Sequence, residues 1–452
     1  MGTVQKILII LAFLPLAHPA FTQGEAHGFR EVDQESYALY QAGEWKELIR
    51  YNNQAIREGF DYYYLRMRSG IAWYQKKNYV HAARQFNEAL SFNTADPVAL
   101  EYLLGCYLEL NKTADALQVY NHLPVPLKQR LQHLKPGNWR ANLSAGYTFS
   151  DQPAVFEPYD IDGADDIYGE TDLLLDGMYI SAGISYLLRN KANIFTGYTF
   201  VRQDKNKMVK IADTLSVDDQ YRLIQHQFYL GGAIPVIKDI SIHPAVNYIN
   251  TRFDMVMPEY NEGNFTYTFP VEEFRQHAFI GYLEVTRDFK ILRASLFAAW
   301  SNLNETEQIQ AGFHLVAYPL GNLNFYLSSK LLNHRNNGYN NIIFEQMAGA
   351  RLARPVWAEA GFTVGEMKNY HESNGYVVYN LAEKMRFKGE GKLIWVIDPS
   401  WMITAGYIYM FRQGSYVTYE YKNIVADEDL IPVTMPLNFN THLGFLALTY
   451  KF

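Results

Sequence analysis

Hydrophobic and polar residues alternate one by one through most of the second part of the chain, which is the period of a β-strand with one buried face. In the first such segment Trp139, Leu143 and Tyr147 share one face, whereas Arg140 and Asn142 lie on the other. The pattern predicts about fourteen strands, each of roughly ten residues or more. After the first strand they span 175–188, 192–203, 221–235, 240–254, 272–286, 291–301, 307–319, 322–332, 341–354, 357–367, 380–396, 401–414 and 438–452.

The connections between the predicted strands alternate between tight turns, such as 189–191 and 287–290, and long loops. The long loops include 150–172, 204–220, 255–271, 368–379 and 415–437. An even strand number with short turns at one end and long loops at the other is typical of outer-membrane barrels, and a soluble sandwich needs neither feature. We therefore predict an antiparallel transmembrane β-barrel over residues 138–452.

The chain ends on a stripe of apolar residues at alternate positions: Leu446, Leu448, Tyr450 and Phe452. The stripe resembles the terminal strand of bacterial outer-membrane proteins, although Ala447 stands where that family often has glycine. The resemblance implies that the barrel-assembly machinery recognises the final aromatic residue. An apolar stripe on the last strand must also face lipid and close the barrel against the first strand. Outer-membrane lipids and the assembly machinery are thus two expected partners.

The chain before the strands carries a different, helical repeat. When the chain is aligned on itself with a shift of about 34 residues, small and aromatic residues fall at matching positions. The match is clearest in the central copy of the repeat and weaker in the first copy. The central copy contains Gly70, Trp73, Tyr79, Ala82, Phe86 and Ala89. This pattern resembles the tetratricopeptide repeat, a helix–turn–helix unit in which small residues let paired helices approach and aromatic residues fill the gaps.

The resemblance implies a short α-helical solenoid, which we predict over residues 29–125. A linker with prolines follows over residues 126–137, so the whole chain is predicted to be an α + β two-domain protein. Stacked repeats usually hold a peptide or protein on their concave face. A periplasmic protein or peptide is therefore an expected partner of this region, and a passive spacer is the alternative.

The first residues of the chain predict export. Lys6 precedes a short apolar run, residues 7–14, and small and turn-forming residues follow it as far as Ala20. This order is typical of a secretory signal peptide, and the run is too short to span a bilayer as a helix. We assign residues 1–23 to the signal peptide.

Composition and charge exclude several function classes. Lys and Arg number 40 against 47 Asp and Glu, and a net charge of −7 leaves no basic footprint for nucleic acid. The single cysteine, Cys106, excludes a disulfide framework and a cysteine metal site. His243 and His314 fall on the predicted lumen face and are expected to be polar lining. Since no catalytic motif is found either, we predict no enzymatic activity, no cofactor and no metal.

One predicted strand carries a row of charges that alternate with apolar residues and glycines. The row consists of Lys384, Arg386, Lys388, Glu390 and Lys392. A basic side chain on the lipid face costs about 2–4 kcal/mol at the bilayer midplane, so the row is expected to face the lumen. Neighbouring strands are expected to add Glu345, Arg351 and Glu359 to the same face. Either the row is a basic wall that attracts anionic cargo, or the acidic residues neutralise it.

Tryptophan placement indicates how the barrel is oriented. Trp139, Trp357, Trp395 and Trp401 fall at strand ends beside tight turns or at the start of the barrel. Amphipathic rings settle at membrane interfaces, so these four predict the periplasmic girdle. The helical region joins the barrel at the same end and is therefore expected in the periplasm, with the long loops outside.

The predicted lumen favours conduction. Polar residues such as Gln225 and Asn247 are expected to line a small aqueous pore, because a barrel of this width is not filled by its own side chains. The tight turns leave no room for an inserted plug domain. Loops 150–172, 255–271 and 415–437 are long enough to narrow the mouth.

Three functions stay open at this point. The first is an outer-membrane channel whose periplasmic repeats dock a partner or cargo for transport. Its order of repeats and then barrel resembles exopolysaccharide-export porins and surface-lipoprotein assembly modulators, in arrangement only. The second is a non-transporting outer-membrane anchor for an envelope protein complex, and the third is a passive porin with an incidental helical domain.

Overall fold

The computed structural model of the protein describes residues 28–151, 168–188, 191–211, 214–237, 239–261, 266–380, 383–421 and 430–452. The predicted signal peptide lies outside these ranges. Within them, seven α-helices precede the first strand: α1 (Phe29–Ala42), α2 (Trp45–Arg57), α3 (Tyr63–Gln75), α4 (Tyr79–Phe92), α5 (Pro97–Glu109), α6 (Thr113–His122) and α7 (Val125–Arg130). No helix in the described part of the chain is long and apolar enough to cross a membrane.

The helices form a row of stacked hairpins. Each of α1 to α5 packs against the next helix, and α3 also touches both α1 and α5. Local sequence sets the helix starts: the Asn78 side chain accepts a hydrogen bond from the backbone of His81 (3.1 Å), and Asp96 caps α5 just before Pro97. Helices α4 and α5 thus begin at capping side chains, and the helices from α1 to α6 are held by contact with their neighbours.

The residues of the central repeat lie where two helices meet. Ala82, Phe86 and Ala89 are fully buried between α3 and its neighbours. A Cβ at Gly70 would lie 2.6 Å from the Phe86 ring, so only glycine lets these helices approach so closely. Trp73 and Tyr79 pack at the edge of the same core. Membership of the tetratricopeptide family stays a prediction.

A closed antiparallel barrel follows the helices. In chain order the strands are β1 (Trp139–Ser150), β2 (Tyr168–Leu188), β3 (Ala192–Ile211), β4 (Thr214–Ile237), β5 (Ile240–Val256), β6 (Glu259–Asn261), β7 (Thr266–Thr268), β8 (Val271–Phe289), β9 (Leu292–Ser301), β10 (Gln308–Ala317), β11 (Phe325–Asn336), β12 (Tyr339–Ala353), β13 (Val356–Met367), β14 (Tyr370–Glu372), β15 (Val377–Tyr379), β16 (Lys384–Val396), β17 (Trp401–Tyr421) and β18 (Leu430–Lys451). Fourteen of them close the barrel, while β6–β7 and β14–β15 form two separate hairpins. The predicted two-part fold is confirmed.

The outer surface of the barrel is apolar. On β18 the side chains of Leu446, which is 63% exposed, and of Leu448 point outward. Thr449 lies on the opposite face of the same strand and is buried inside the barrel. At the seam the backbones of Trp139 and Phe452 exchange two hydrogen bonds of 3.1 Å, and their rings stack 6.4 Å apart. A closed barrel with an apolar outside satisfies every backbone group without water, which is the outer-membrane type of β-barrel.

The barrel wall is uneven in height. Strands β2, β3, β4, β17 and β18 have 20 to 24 residues, whereas β9 and β10 have 10 each. In the ring, β18 and β1 stand between β17 and β2. Beyond the end of β16, residues 416–419 of β17 nevertheless pair with residues 168–171 of β2. The upper part of the β17–β18 hairpin therefore bends across the mouth. Predicted loops 204–220 and 415–437 are thus partly strand.

Candidate functional site

A short hairpin folds into the barrel between β13 and β16, and we call it the inward hairpin, residues 368–380. Its two strands, β14 and β15, are joined by a tight turn in which Ser373, Asn374 and Gly375 have φ values of 50°, 60° and 82°. A Cβ at Gly375 would lie 3.0 Å from the Ile280 side chain. Glycine at this position therefore serves both the left-handed backbone and the close approach to the wall.

The tip of the inward hairpin reaches the opposite wall. The Tyr376 hydroxyl lies 2.5 Å from Ser181 Oγ on β2, and Asn247 on β5 donates a 2.9 Å hydrogen bond to the Gly375 carbonyl. A Cβ at Gly197 on β3 would lie 2.8 Å from the Tyr376 ring, so the wall is hollowed to accept that ring. The hairpin thus crosses the lumen from β13 and β16 to the wall of β2–β5.

A buried ion pair ties the inward hairpin to the wall from which it starts. Lys388 Nζ lies 2.7 and 2.6 Å from the two carboxylate oxygens of Glu372. The Lys388 side chain is only 2% exposed, and its ammonium lies 5.9 Å from the centre of the Tyr379 ring. Such a pair contributes little net stability, but removal of one partner leaves an uncompensated buried charge.

The middle of the lumen is a packed core around this hairpin. Tyr370 is 0% exposed and packs in a cluster with Ile343, Met367, Met385 and Met410. The polar lining expected of a water-filled pore is buried as well: Gln225, Gln227, Asn247, Glu284, Gln308 and Gln310. The expectation of an aqueous middle and of no room for a plug is therefore corrected. A loop, and not a turn, supplies the segment that fills the barrel.

Strand β16 does not carry one uninterrupted row of charges. A β-bulge between Met385 and Phe387 shifts its register with β17. Met385 consequently packs in the lumen, while Lys384 and Arg386 lie on the outer face, each 3.0 Å from Glu366. The predicted lumen position of Lys384 and Arg386 is corrected, because one extra residue in a strand turns the following side chains to the other face.

The rest of the row lies on the lumen face and is paired there. Lys392 forms a 2.7 Å ion pair with Glu359, and Glu390 lies 4.0 Å from Lys388. Glu345 stands opposite the buried Lys330 in the β11–β12 register. These charges therefore neutralise one another to a large extent. This arrangement agrees with the alternative in which acidic residues neutralise the row, and not with a basic wall for anionic cargo.

Arg351 has an aromatic partner. Its guanidinium carbon lies 4.4 Å from the centre of the Trp357 ring, and Trp357 Nε1 donates to the Leu323 carbonyl at 3.3 Å. Trp357 consequently faces the lumen and not the lipid, which corrects its place in the predicted girdle. Trp139 and Trp395 are exposed on the outside, as a girdle needs.

The helical region rests on the tight-turn end of the barrel. The backbone of Val80 donates to the Gly321 carbonyl (3.0 Å), and the Asn322 side chain donates to the Lys77 carbonyl (2.7 Å). Further round the rim, Lys112 pairs with Asp288 at 3.3 Å. The connections α3–α4 and α5–α6 therefore dock onto the turns β10–β11 and β8–β9.

No group of three or more His, Cys, Asp or Glu side chains is placed to hold a metal ion in the described ranges. His243 lies 2.9 Å from Ser241 Oγ, and His314 lies 2.8 Å from Ser328 Oγ. Cys106 is buried within the helices, and this burial raises the pKa of its thiol, which disfavours the reactive thiolate.

Comparison with known proteins gives only distant likenesses. No family model and no curated protein sequence matches the chain. Among solved structures, the P. putida toluene transporter TodX aligns with a TM-score of 0.46 at 6% identity, over 71% of this chain and 92% of that one. A Pseudomonas aeruginosa FadL homologue aligns at 0.45 and 8% identity, over 70% and 90%. The monoaromatic hydrocarbon channel CymD aligns at 0.33 and 9% identity, over 76% and 92%.

The inward hairpin was not predicted from the sequence, which marked residues 368–379 only as a long loop. Composition does not mark it either: Tyr370, His371 and Glu372 are aromatic and acidic, but the exposed β6–β7 hairpin also carries Glu259, Tyr260 and Tyr267. The role of the residues in the inward hairpin becomes visible only when the wall opposite them is known.

Proposed function

We propose that this protein is a gated outer-membrane channel, in which the inward hairpin is the gate. One observation carries the proposal: residues 368–380 cross the lumen and bind both walls. A barrel of fourteen strands is wider than one that its own wall side chains fill, so a segment that can leave would uncover a path.

The contacts of the hairpin are suited to a reversible closure. Several of them are hydrogen bonds to wall side chains, such as Asn380 to Gln225 (3.2 Å) and Tyr376 to Ser181, which typically contribute about 1 kcal/mol each. The β-strands of the wall do not pair with β14 or β15 in the described residues. The hairpin can therefore leave without breaking the barrel ladder.

The test is conductance across a planar bilayer. We expect little current through the wild-type chain and discrete conductance steps when residues 369–380 are replaced by a short Gly/Ser linker. The matched control replaces the β6–β7 hairpin by the same linker, and current should stay at the wild-type level. Heat-modifiable migration on gels verifies that both barrels are assembled.

A non-transporting anchor is the second candidate function, and the filled lumen favours it. A barrel that only holds the helical region at a membrane has no need of a path. This candidate predicts that the variant without the inward hairpin, although assembled, conducts nothing. The channel proposal fails on that result.

We also propose that the helical region lies in the periplasm and docks a protein or peptide partner. Its contacts with the tight turns support this orientation, since turns face the periplasm in barrels of this type. A cysteine introduced at Tyr260 should be labelled from outside intact cells, and one at Lys290 should not. The detergent-solubilised full chain should retain a partner from periplasmic extract that a chain without residues 29–125 does not retain.

A further inference from the structure

A cavity of about 340 Å³ lies above the inward hairpin, at the long-loop end of the barrel. Upper parts of β2 and β17 form two of its sides. Lys368 and Glu383, which flank the hairpin where it leaves β13 and rejoins β16, also line it. The cavity therefore lies between the bent β17–β18 hairpin and the two ends of the inward hairpin.

Glu383 is an acidic residue without a partner in this cavity. It is only 3% exposed, and neither of its carboxylate oxygens has a hydrogen-bond partner among the described residues. The acidic neighbour Asp172, by contrast, binds Lys205 (3.2 Å) and the Tyr221 hydroxyl (2.7 Å). A buried carboxylate with no hydrogen bond is costly. The buried wall cations Lys205 and Arg412 balance part of the charge of Glu383, but neither donates a hydrogen bond to it among the described residues. Glu383 therefore still lacks a donor, which the ammonium of a solute can supply.

Among the basic residues of the cavity, Lys368 is the one whose side chain lacks a partner in the described residues. Lys207 is paired with Glu170 at 2.7 Å. Lys384 borders the cavity at the start of β16, but its ammonium is turned to Glu366 on the outer face, at 3.0 Å. The ammonium of Lys368 has no ion pair or hydrogen bond among the described residues, although its backbone carbonyl accepts from His334. An unpaired cation and an unpaired anion thus line one small space.

We infer that this cavity binds a small zwitterion, a free amino acid or short peptide, with its ammonium at Glu383 and its carboxylate at Lys368. Charge-assisted hydrogen bonds to both ends would satisfy the groups that the wall leaves unpaired. The volume lies within the range of small-molecule sites. This inference rests on the proposed channel function: the zwitterion is the solute of that channel, bound next to the inward hairpin in its closed position.

Arg412 offers a competing explanation for Glu383. It is buried, and its Nε and Nη1 have no acceptor in the part of the chain that the structure describes. If Glu383 served only to neutralise Arg412, Glu383→Gln would leave an uncompensated buried guanidinium and lower the melting temperature of the empty protein. If Glu383 is held ready for a solute, the same substitution removes an unsatisfied buried charge and raises that temperature.

The experiment is calorimetric titration of the full chain in detergent with alanyl-alanine. Glu383→Gln and Lys368→Gln should each weaken binding by about tenfold or more, the loss of one charge-assisted hydrogen bond. Blocked dipeptides should distinguish the two halves of the site. The N-acetylated dipeptide has no ammonium, so it should bind Glu383→Gln as weakly as it binds wild type. The amidated dipeptide should likewise not distinguish Lys368→Gln from wild type.

Glu273→Gln is the matched control, since it removes an acidic residue that pairs with Arg252 and Arg275 and does not line the cavity. Its affinity should equal that of wild type. Absence of binding to wild type, or equal affinities for all three variants, overturns the inference. So does a lower melting temperature of Glu383→Gln combined with unchanged binding. Because titration needs no current, dipeptide binding by a chain that never conducts would leave the site standing and refute only the channel.

Discussion

The two small hairpins that leave the barrel at its long-loop end have opposite surroundings. Both are built from a pair of three-residue strands. In the β6–β7 hairpin Tyr260 is 50% exposed, and its ring lies 5.0 Å from that of Tyr267 in the same hairpin. In the inward hairpin Tyr370 is completely buried and packs in the lumen core. Loop length and strand length are similar, so neither decides where a hairpin goes.

The difference lies in the wall that each hairpin meets. The lumen offers Lys388 as the counter-charge of Glu372, Asn247 as a donor to the backbone, and a hollow at Gly197 for a ring. Each of these features complements one feature of the inward hairpin. The position of each hairpin is therefore specified by its complementarity with the wall, which can be tested by removing one complementary group at a time.

Lys388→Met should have the largest effect, because it leaves Glu372 buried without a counter-charge. Breaking such a pair costs about 3–5 kcal/mol, which should undock the inward hairpin and speed hydrogen exchange at residues 370–379. Lys384→Met is the control from the same strand, and its exposed pair should cost at most about 1 kcal/mol. The double variant Lys388→Met/Glu372→Leu should recover most of the docking. Equal exchange in both single variants would show that the ion pair does not hold the gate.

Gly197→Ala should have an intermediate effect. Its new Cβ would lie 2.8 Å from the Tyr376 ring, and overpacking of this kind costs about 1–3 kcal/mol. We expect exchange at the hairpin tip to rise while the barrel strands stay protected. Gly391→Ala is the control, since nothing lies within 4 Å of its added Cβ. Unchanged exchange at the tip would mean that Tyr376 can shift at no cost.

Tyr376→Phe should have the smallest effect. It removes the hydroxyl that meets Ser181 Oγ at 2.5 Å and keeps the ring in its hollow, so docking should weaken by about 1 kcal/mol. Tyr260→Phe in the β6–β7 hairpin should change neither exchange nor conductance. If Tyr376→Phe loosened the hairpin as strongly as Lys388→Met, the hydroxyl and not the ion pair would be the main tie.

Much of the barrel could be predicted from the sequence because its signals are local. Period-two alternation places Leu446 and Leu448 outside whatever the rest of the chain does, since each strand has one face for lipid and one for the lumen. Small residues such as Gly70 and Ala82 similarly mark where neighbouring helices approach. Strand number, loop alternation and the two-part order follow from such short-range patterns.

The candidate site depended on the tertiary structure for two physical reasons. One residue inserted into the β16 ladder turned Lys384 and Arg386 outward, and alternation alone does not reveal a bulge. The inward hairpin is selected by partners far away in the chain, since Ser181 and Tyr376 are 195 residues apart. Sequence by itself determined the alternation of a lipid face and a lumen face along most strands, because that pattern is local. Only closure of the barrel decided where a bulge interrupts it and which loop meets the lumen face, because both depend on partners that are distant in the chain.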